Sequence, residues 1–388
     1  DIGIRSSARS HNWACNELPA VAFNQWGAQG TTAAAARSED AGAAPWSAKS
    51  QRAPNLPLQT CLCSLASASL QACQLLLMDD VLTSLQRQEA FRNATQGRSS
   101  RSEVVCNGRR GFVKIGTGGE AATSAMLDYE AMGLEHLRAA CSSITVPNVW
   151  HVGTLLESEG GSAYIVMDWL SLVRCGRAHQ AALGAGLAAM HSAPPHSTWP
   201  ATRFGFPVDG CCGAGPQPNN PEKRALNWVE FWSEYRLGSM LERAPLRLRA
   251  SRELSTMLEL GAQLQKRLPE FFAATPVEDI APSVCHGDLW SGNVGLDNET
   301  GRPAIFDPAA YYGDAEADLG IARMFGGFHS EFYKRYHAVR PQRPGYEARA
   351  QLYELHHHLN HACIFGDGYL GGCIQLMKSL LRGEKTQP

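Results

Sequence analysis

The chain has 388 residues, 44% of them apolar, enough for two packed domains, and a formal net charge of -2. That balance excludes the basic footprint expected of a nucleic-acid or anionic-membrane binder. Its 12 cysteines form no C-x-x-C pair, and a chain this long needs no disulfide framework, so they read as mostly buried thiols in a reducing compartment.

Residues 1–77 are rich in Ala, Ser, Gln and Pro and hold no sustained amphipathic period. They read as a low-complexity extension, either an artefact of the chain's start or an organelle-targeting segment of the Ser- and Arg-containing kind. The second alternative implies a plastid protein, the first a cytoplasmic one. The uncharged run from Ala53 to Leu77 is broken by Pro and Gln and is not a membrane span.

From Met78 the texture changes. Apolar residues at helical spacing after Asp79 and Asp80 predict a short helix. Strands are predicted over 102–106 and 111–115 around Asn107-Gly108, a dipeptide whose residues both tolerate positive φ. A helix is expected over 123–138, then strands over 149–156 and 163–168 around Gly160-Gly161. Beyond Trp169 the chain reads as mainly helical, interrupted by a loop from Pro207 to Pro221. The expected organisation is a small lobe over 78–169 and a helical lobe over 170–388.

The informative stretch is His286-Gly-Asp-Leu-Trp-Ser-Gly-Asn293, followed by Phe306-Asp-Pro308. Phosphoryl transfer asks a protein mainly for positioning and charge neutralisation. Asp288 is the candidate base beside an attacking hydroxyl. Asn293, five residues on, and Asp307, after a short strand, are the candidate metal ligands. Asp288 and Asn293 keep the spacing of the kinase loop H-R-D-x-x-x-x-N, with Gly287 for Arg. Lys114 in Gly111-Phe-Val-Lys-Ile115 and Glu130 on the following helix have the order of a kinase's phosphate-binding lysine and its partner. Ile165-Val-Met-Asp168 has the character of a lobe-connecting hinge, with Met167 and Asp168 placed to offer backbone groups to adenine. His356, His357, His358 and His361 invite a metal reading, but H-x-x-x-H without a zincin Glu favours a structural or substrate-side role.

These motifs, with Phe306-Asp-Pro-Ala-Ala-Tyr-Tyr-Gly313, Glu316-Ala-Asp-Leu-Gly320, Met324-Phe-Gly-Gly-Phe328 and Leu359-Asn-His361, resemble the fructosamine kinase / ketosamine 3-kinase family over essentially Lys114 to Leu381. The resemblance implies an α+β, two-lobed protein-kinase-like fold of the aminoglycoside phosphotransferase type. It implies ATP- and Mg2+-dependent phosphorylation of ribulosamine or fructosamine adducts on protein amines, which leads to deglycation. It implies Asp288 as base, Asn293 and Asp307 as metal ligands, Lys114 and Glu130 at the phosphates, and Trp290 beside the sugar. Glycated proteins or glycated lysine are the implied partners, with no nucleic acid and no membrane. Two other readings stand beside it: a phosphotransferase for another small hydroxyl compound, and a pseudokinase that binds glycated proteins. One departure favours the latter. Members carry a glycine-rich turn before the second strand, whereas Asn93 to Ser102 holds only Gly97. The expectation is an active enzyme with weakened ATP binding.

Overall fold

The structure is a computed structural model that describes residues 78–100, 102–116, 120–155 and 162–383. The predicted extension over 1–77 and the Gly160-Gly161 turn lie outside these residues.

Helix α1 (residues 78–86) precedes a five-stranded antiparallel sheet with strand order β1-β2-β3-β5-β4. Its strands are β1 (Thr95–Gln96), β2 (Glu103–Cys106), β3 (Arg109–Ile115), β4 (Val149–Thr154) and β5 (Ala163–Asp168). Asn107 and Gly108 make the two-residue turn from β2 to β3, with φ of 51° and 76° and Cys106 paired to Arg109. This left-handed pair matches the twist of the flanking strands. Helix α2 (Glu120–Ala140) connects β3 to β4.

The period-two alternation of the strands sorts their side chains onto two faces. Val104, Val113, Tyr164 and Val166 face α1, where Met78, Val81 and Leu85 close a small core. Phe112, Ile165 and Met167 face the other way, into the main core with Leu127, Leu134 and Leu137 of α2. Lys114, two residues beyond Phe112, shares that inner face.

After residue 169 the chain is mainly helical, around α3 (Arg177–Ser192), α4 (Tyr346–Phe365) and α5 (Leu370–Arg382). The expected loop from Pro207 to Pro221 is in part a hairpin of β7 (Gly210–Cys212) and β8 (Gly215–Gln217). Its turn glycines and short apolar stretch conceal pairing that no period betrays. Five further described strands sit among the helices: β6 (Leu172–Val173), β9 (Ser283–Cys285), β10 (Val294–Asp297), β11 (Arg302–Ile305) and β12 (Tyr311–Gly313), with β6 paired to β10. β9 pairs with β12 and β10 with β11, so the two motif-bearing stretches leave neighbouring ribbons. A π-helical segment, Trp232–Gly238, carries the fully buried Arg236. Its guanidinium donates to Pro218 O at 2.7 Å and Asn219 Oδ1 at 2.9 Å, and lies 4.2 Å from the Tyr311 ring centroid. No described helix is long and apolar enough to cross a membrane.

Candidate functional site

The chain leaves β9 at Cys285 and turns sharply at Gly287, whose φ is 79°. A Cβ there would stand 2.0 Å from Ala309 O, so only glycine fits where protein kinases carry Arg. Two backbone amides of the turn are claimed by one buried carboxylate. The His286 N–H donates to Asp318 Oδ2 at 2.8 Å, and the Gly287 N–H to Oδ1 at 2.7 Å. Asp318 is also 3.1 Å from His191 Nε2, and His191 Nδ1 is 2.8 Å from the Tyr336 hydroxyl. The buried His286 ring reaches Phe306 O through Nε2 at 3.0 Å and takes the Asp288 N–H on Nδ1 at 3.3 Å. That arrangement needs the neutral ring, and burial, the dominant influence, lowers its pKa.

Asp288 is thereby held half-buried. The Asn293 amide donates to Asp288 O at 2.9 Å and to Asp288 Oδ2 at 3.0 Å, and leans toward Asp307 O at 3.4 Å. Asp307 adopts a φ of 54°, rare for a residue with a Cβ. Lys114 Nζ joins the inner face of the sheet to this site, 2.7 Å from Glu130 Oε2 and 3.1 Å from Asp307 Oδ1. The five polar side chains predicted from 114, 130, 288, 293 and 307 therefore meet in one cleft.

Burial raises the Asp288 pKa to about 7, with Asp307 and then Asp318 adding to it and Asn293 opposing. Burial alone would lower the Lys114 ammonium, but Asp307 and Glu130 outweigh it and push its pKa up. Glu130 Oε1 is buried without a hydrogen-bond partner.

Trp290, half-buried, lies 5.7 Å ring to ring from Phe325, and Phe325 lies 5.1 Å from His361. Met167 is buried in the core. The Asp168 carboxylate accepts the Trp150 Nε1–H at 2.7 Å and the Asn148 N–H at 3.1 Å, and pairs with Arg109 at 3.0 Å. The Asp168 N–H is itself given to Asn148 O at 2.9 Å. Both its carboxylate and its amide are thus spent joining the ends of β4 and β5.

His356 and His357 are buried, and burial lowers both their pKa values, that of His357 to about 3. His361 Nδ1 bonds His357 O at 2.8 Å. Among the described residues the group with metal-binding proximity is instead His191, Cys285 and Asp318. Of these, Asp318 bonds the amides of residues 286 and 287, and His191 bonds Asp318. Sequence spacing gives no signal for Asp318 or His191, because an anchor reached through tertiary packing need not lie at a fixed offset from the loop it holds.

The chain that leaves β1 is tied to one residue, Glu103, through its main chain and its side chain. The Gly97 N–H donates to Glu103 O at 2.8 Å, and the Ser99 N–H to Glu103 Oε2 at 2.7 Å. Glu103 Oε1 accepts from Arg110 Nε.

A profile of the fructosamine kinase family matches residues 76–383. A rice (Oryza sativa subsp. indica) protein named protein-ribulosamine 3-kinase, chloroplastic, is 38% identical over 275 residues, which is 71% of this chain and 73% of that one. A mouse (Mus musculus) ketosamine-3-kinase is 36% identical over 290 residues, 70% of this chain and 88% of that one. A Thermobifida fusca crystal structure of the fructosamine-3-kinase type superposes with a TM-score of 0.61 at 28% identity, covering 78% of this chain and 97% of that one. An aminoglycoside phosphotransferase in ternary complex with AMP-PNP and hygromycin B shares the fold, with a TM-score of 0.50 at 15% identity over 79% of this chain and 99% of that one.

Proposed function

Since the chain belongs to the fructosamine kinase family, we propose that it is an ATP-dependent ketosamine 3-kinase acting on sugar adducts of protein amines. The observation that carries this reading is the meeting of Asp288, Asn293, Asp307 and the Lys114–Glu130 pair in one cleft. Residues 78–169 and 170–383 serve as two lobes with that cleft between them.

In this reading the acceptor hydroxyl stands beside Asp288. Its oxygen attacks the γ-phosphorus, the bond from that phosphorus to the β–γ bridging oxygen breaks, and the hydroxyl proton passes to Asp288. ADP leaves. A carboxylate whose pKa is lifted to about 7 is a competent proton acceptor near neutrality. Lys114, kept cationic by its two carboxylates, holds nucleotide phosphate oxygens, and Glu130 aims it.

The donor set around the phosphates suits Mg2+, which takes oxygen ligands. Asp307 supplies a carboxylate. Asn293 spends its NH2 on the Asp288 main chain and carboxylate, which leaves its carbonyl oxygen as the donor. These two residues would hold the ion, which when bound neutralises phosphate charge. Trp290, backed by Phe325, borders the sugar with an apolar ring face.

The acceptors are ribulosamine- or fructosamine-type adducts on glycated proteins or glycated lysine, with the ribulosamine preferred. Phosphorylation at the third carbon yields a product that sheds its sugar and restores the amine. The test is transfer of labelled phosphate from ATP to ribulosyl-lysine and fructosyl-lysine. Transfer with a higher kcat/KM for ribulosyl-lysine is expected. Transfer to neither would overturn the ketosamine reading and leave a phosphotransferase for another small hydroxyl compound or a binding protein.

A further inference from the structure

The β1–β2 turn has one glycine where a phosphate-covering turn ordinarily has several, yet its residues 97–99 are bonded in place. Its order comes from Glu103. This residue pairs across the ladder with Phe112, so it projects from the same inner face as Phe112 and Lys114. It is 2% exposed. Its carboxylate lies beneath the turn: a Cβ at residue 97 would fall 2.2 Å from Glu103 Cδ and Cγ. Gly97 is therefore required by the carboxylate, and the turn closes over it through the Ser99 N–H.

The other carboxylate oxygen takes Arg110 Nε. Arg110 in turn lies 4.7 Å over the Trp169 ring and 4.0 Å from Glu299, and its carbonyl accepts the Trp169 N–H at 3.1 Å. Trp169 follows the last residue of β5, and Glu299 follows β10 in the helical region. A polar connection thus runs from the turn at Ser99, through Glu103 and Arg110, to the junction between the two regions. Burial opposes the charge of Glu103, but Arg110 and Ser99 outweigh it and hold its pKa below the usual carboxylate value.

We propose that Glu103, clamped by Arg110, is a positioning residue for the nucleotide: it sets the turn over the phosphate site and ties that turn to the junction at Trp169. The proposal rests on the phosphotransferase reading of the cleft. Arg110 has a second consequence here, because it neutralises a carboxylate that would otherwise repel the triphosphate.

The experiment compares the full chain with Glu103→Ala, Glu103→Gln and Glu103→Ala/Arg110→Ala. It measures KM for ATP, KM for ribulosyl-lysine, kcat, and direct ATP binding with magnesium. Glu103→Ala should weaken ATP by about tenfold, the scale of one lost charge-assisted hydrogen bond, and leave the acceptor KM within about twofold. Glu103→Gln keeps the volume and an acceptor for Ser99, so it should fall between the two. The double variant should be no worse for ATP than Glu103→Ala, because both side chains act through one turn. Unchanged ATP affinity in both single variants would overturn the proposal, as would a parallel rise in the two KM values. If the wild-type chain transfers no phosphate, the direct ATP measurement still decides between these outcomes.

Discussion

The loop at 286–293 and the turn that leaves β1 at Gly97 both bend the chain tightly, and they are held by opposite means. The 286–293 loop is fixed from beneath by the core. Asp318 takes two of its amides, and His191 and Tyr336 hold Asp318. The turn is fixed by its own strand, through Glu103 and the neighbouring Arg110. A loop anchored by distant buried groups keeps its geometry as long as the fold stands. A turn anchored by a side chain four residues away can be adjusted without touching the core. The difference assigns the two segments different kinetic signatures: changes in the loop should act on kcat, and changes in the turn on ATP affinity.

The largest effects are expected in the loop. Asp288→Asn and Asp307→Asn should each lower kcat by about 100-fold or more while circular dichroism stays unchanged, the usual scale for a lost base or for lost charge stabilisation. Wild-type turnover in either variant would remove the basis of the comparison. Asp318→Ala leaves two buried amides and His191 without their acceptor. It should destabilise by about 3 kcal/mol in denaturant unfolding and lower kcat with little effect on the ATP KM. Gly287→Ala forces a Cβ onto Ala309 O in a left-handed conformation, and about 2 kcal/mol of lost stability is expected from thermal melts.

Smaller, but sharper, is the contrast in pH dependence. Asp288 has its pKa raised to about 7, chiefly by burial. It is therefore protonated, and inactive as a base, below that pH. The value of kcat/KM for the acceptor should fall roughly tenfold per pH unit as pH drops below about 7. Glu103 has its pKa lowered, so it stays ionised throughout this range and ATP binding should carry no limb from it. A pH profile for ATP binding that parallels the acceptor profile would erase the distinction. The smallest effect concerns glycine itself. Replacing Gln96 and Arg98 by glycine on either side of Gly97 should change ATP affinity by less than about threefold. The carboxylate beneath the turn, not freedom in φ, sets its shape.

Much of the site was legible before any coordinates. Asp288 and Asn293 are five residues apart, and a spacing that short is nearly a geometry. Asn107-Gly108 specified its hairpin for the same reason, since φ tolerance is a property of the residues themselves. Lys114 and Glu130 followed from strand and helix patterns read in order. The hairpin within 207–221 leaves no sequence signal because its strands are only three residues each, too short for alternation to register.

What the sequence by itself determined is therefore the local content: the strand and helix periods, the turn dipeptide, and the side chains of the catalytic loop. Those depend on interactions within a few residues, and the order of residues records them directly. The tertiary structure alone decided which groups hold those side chains in place. Lys114 reaches Asp307 across 193 positions, and Asp318 reaches Gly287 across 31. It alone set the fate of Asp168, whose carboxylate and amide are spent between strands, and the use of Glu103 in place of additional glycines. Such choices turn on burial, since a carboxylate enclosed with donors must bond them, and enclosure is a property of the packed chain that no periodicity encodes.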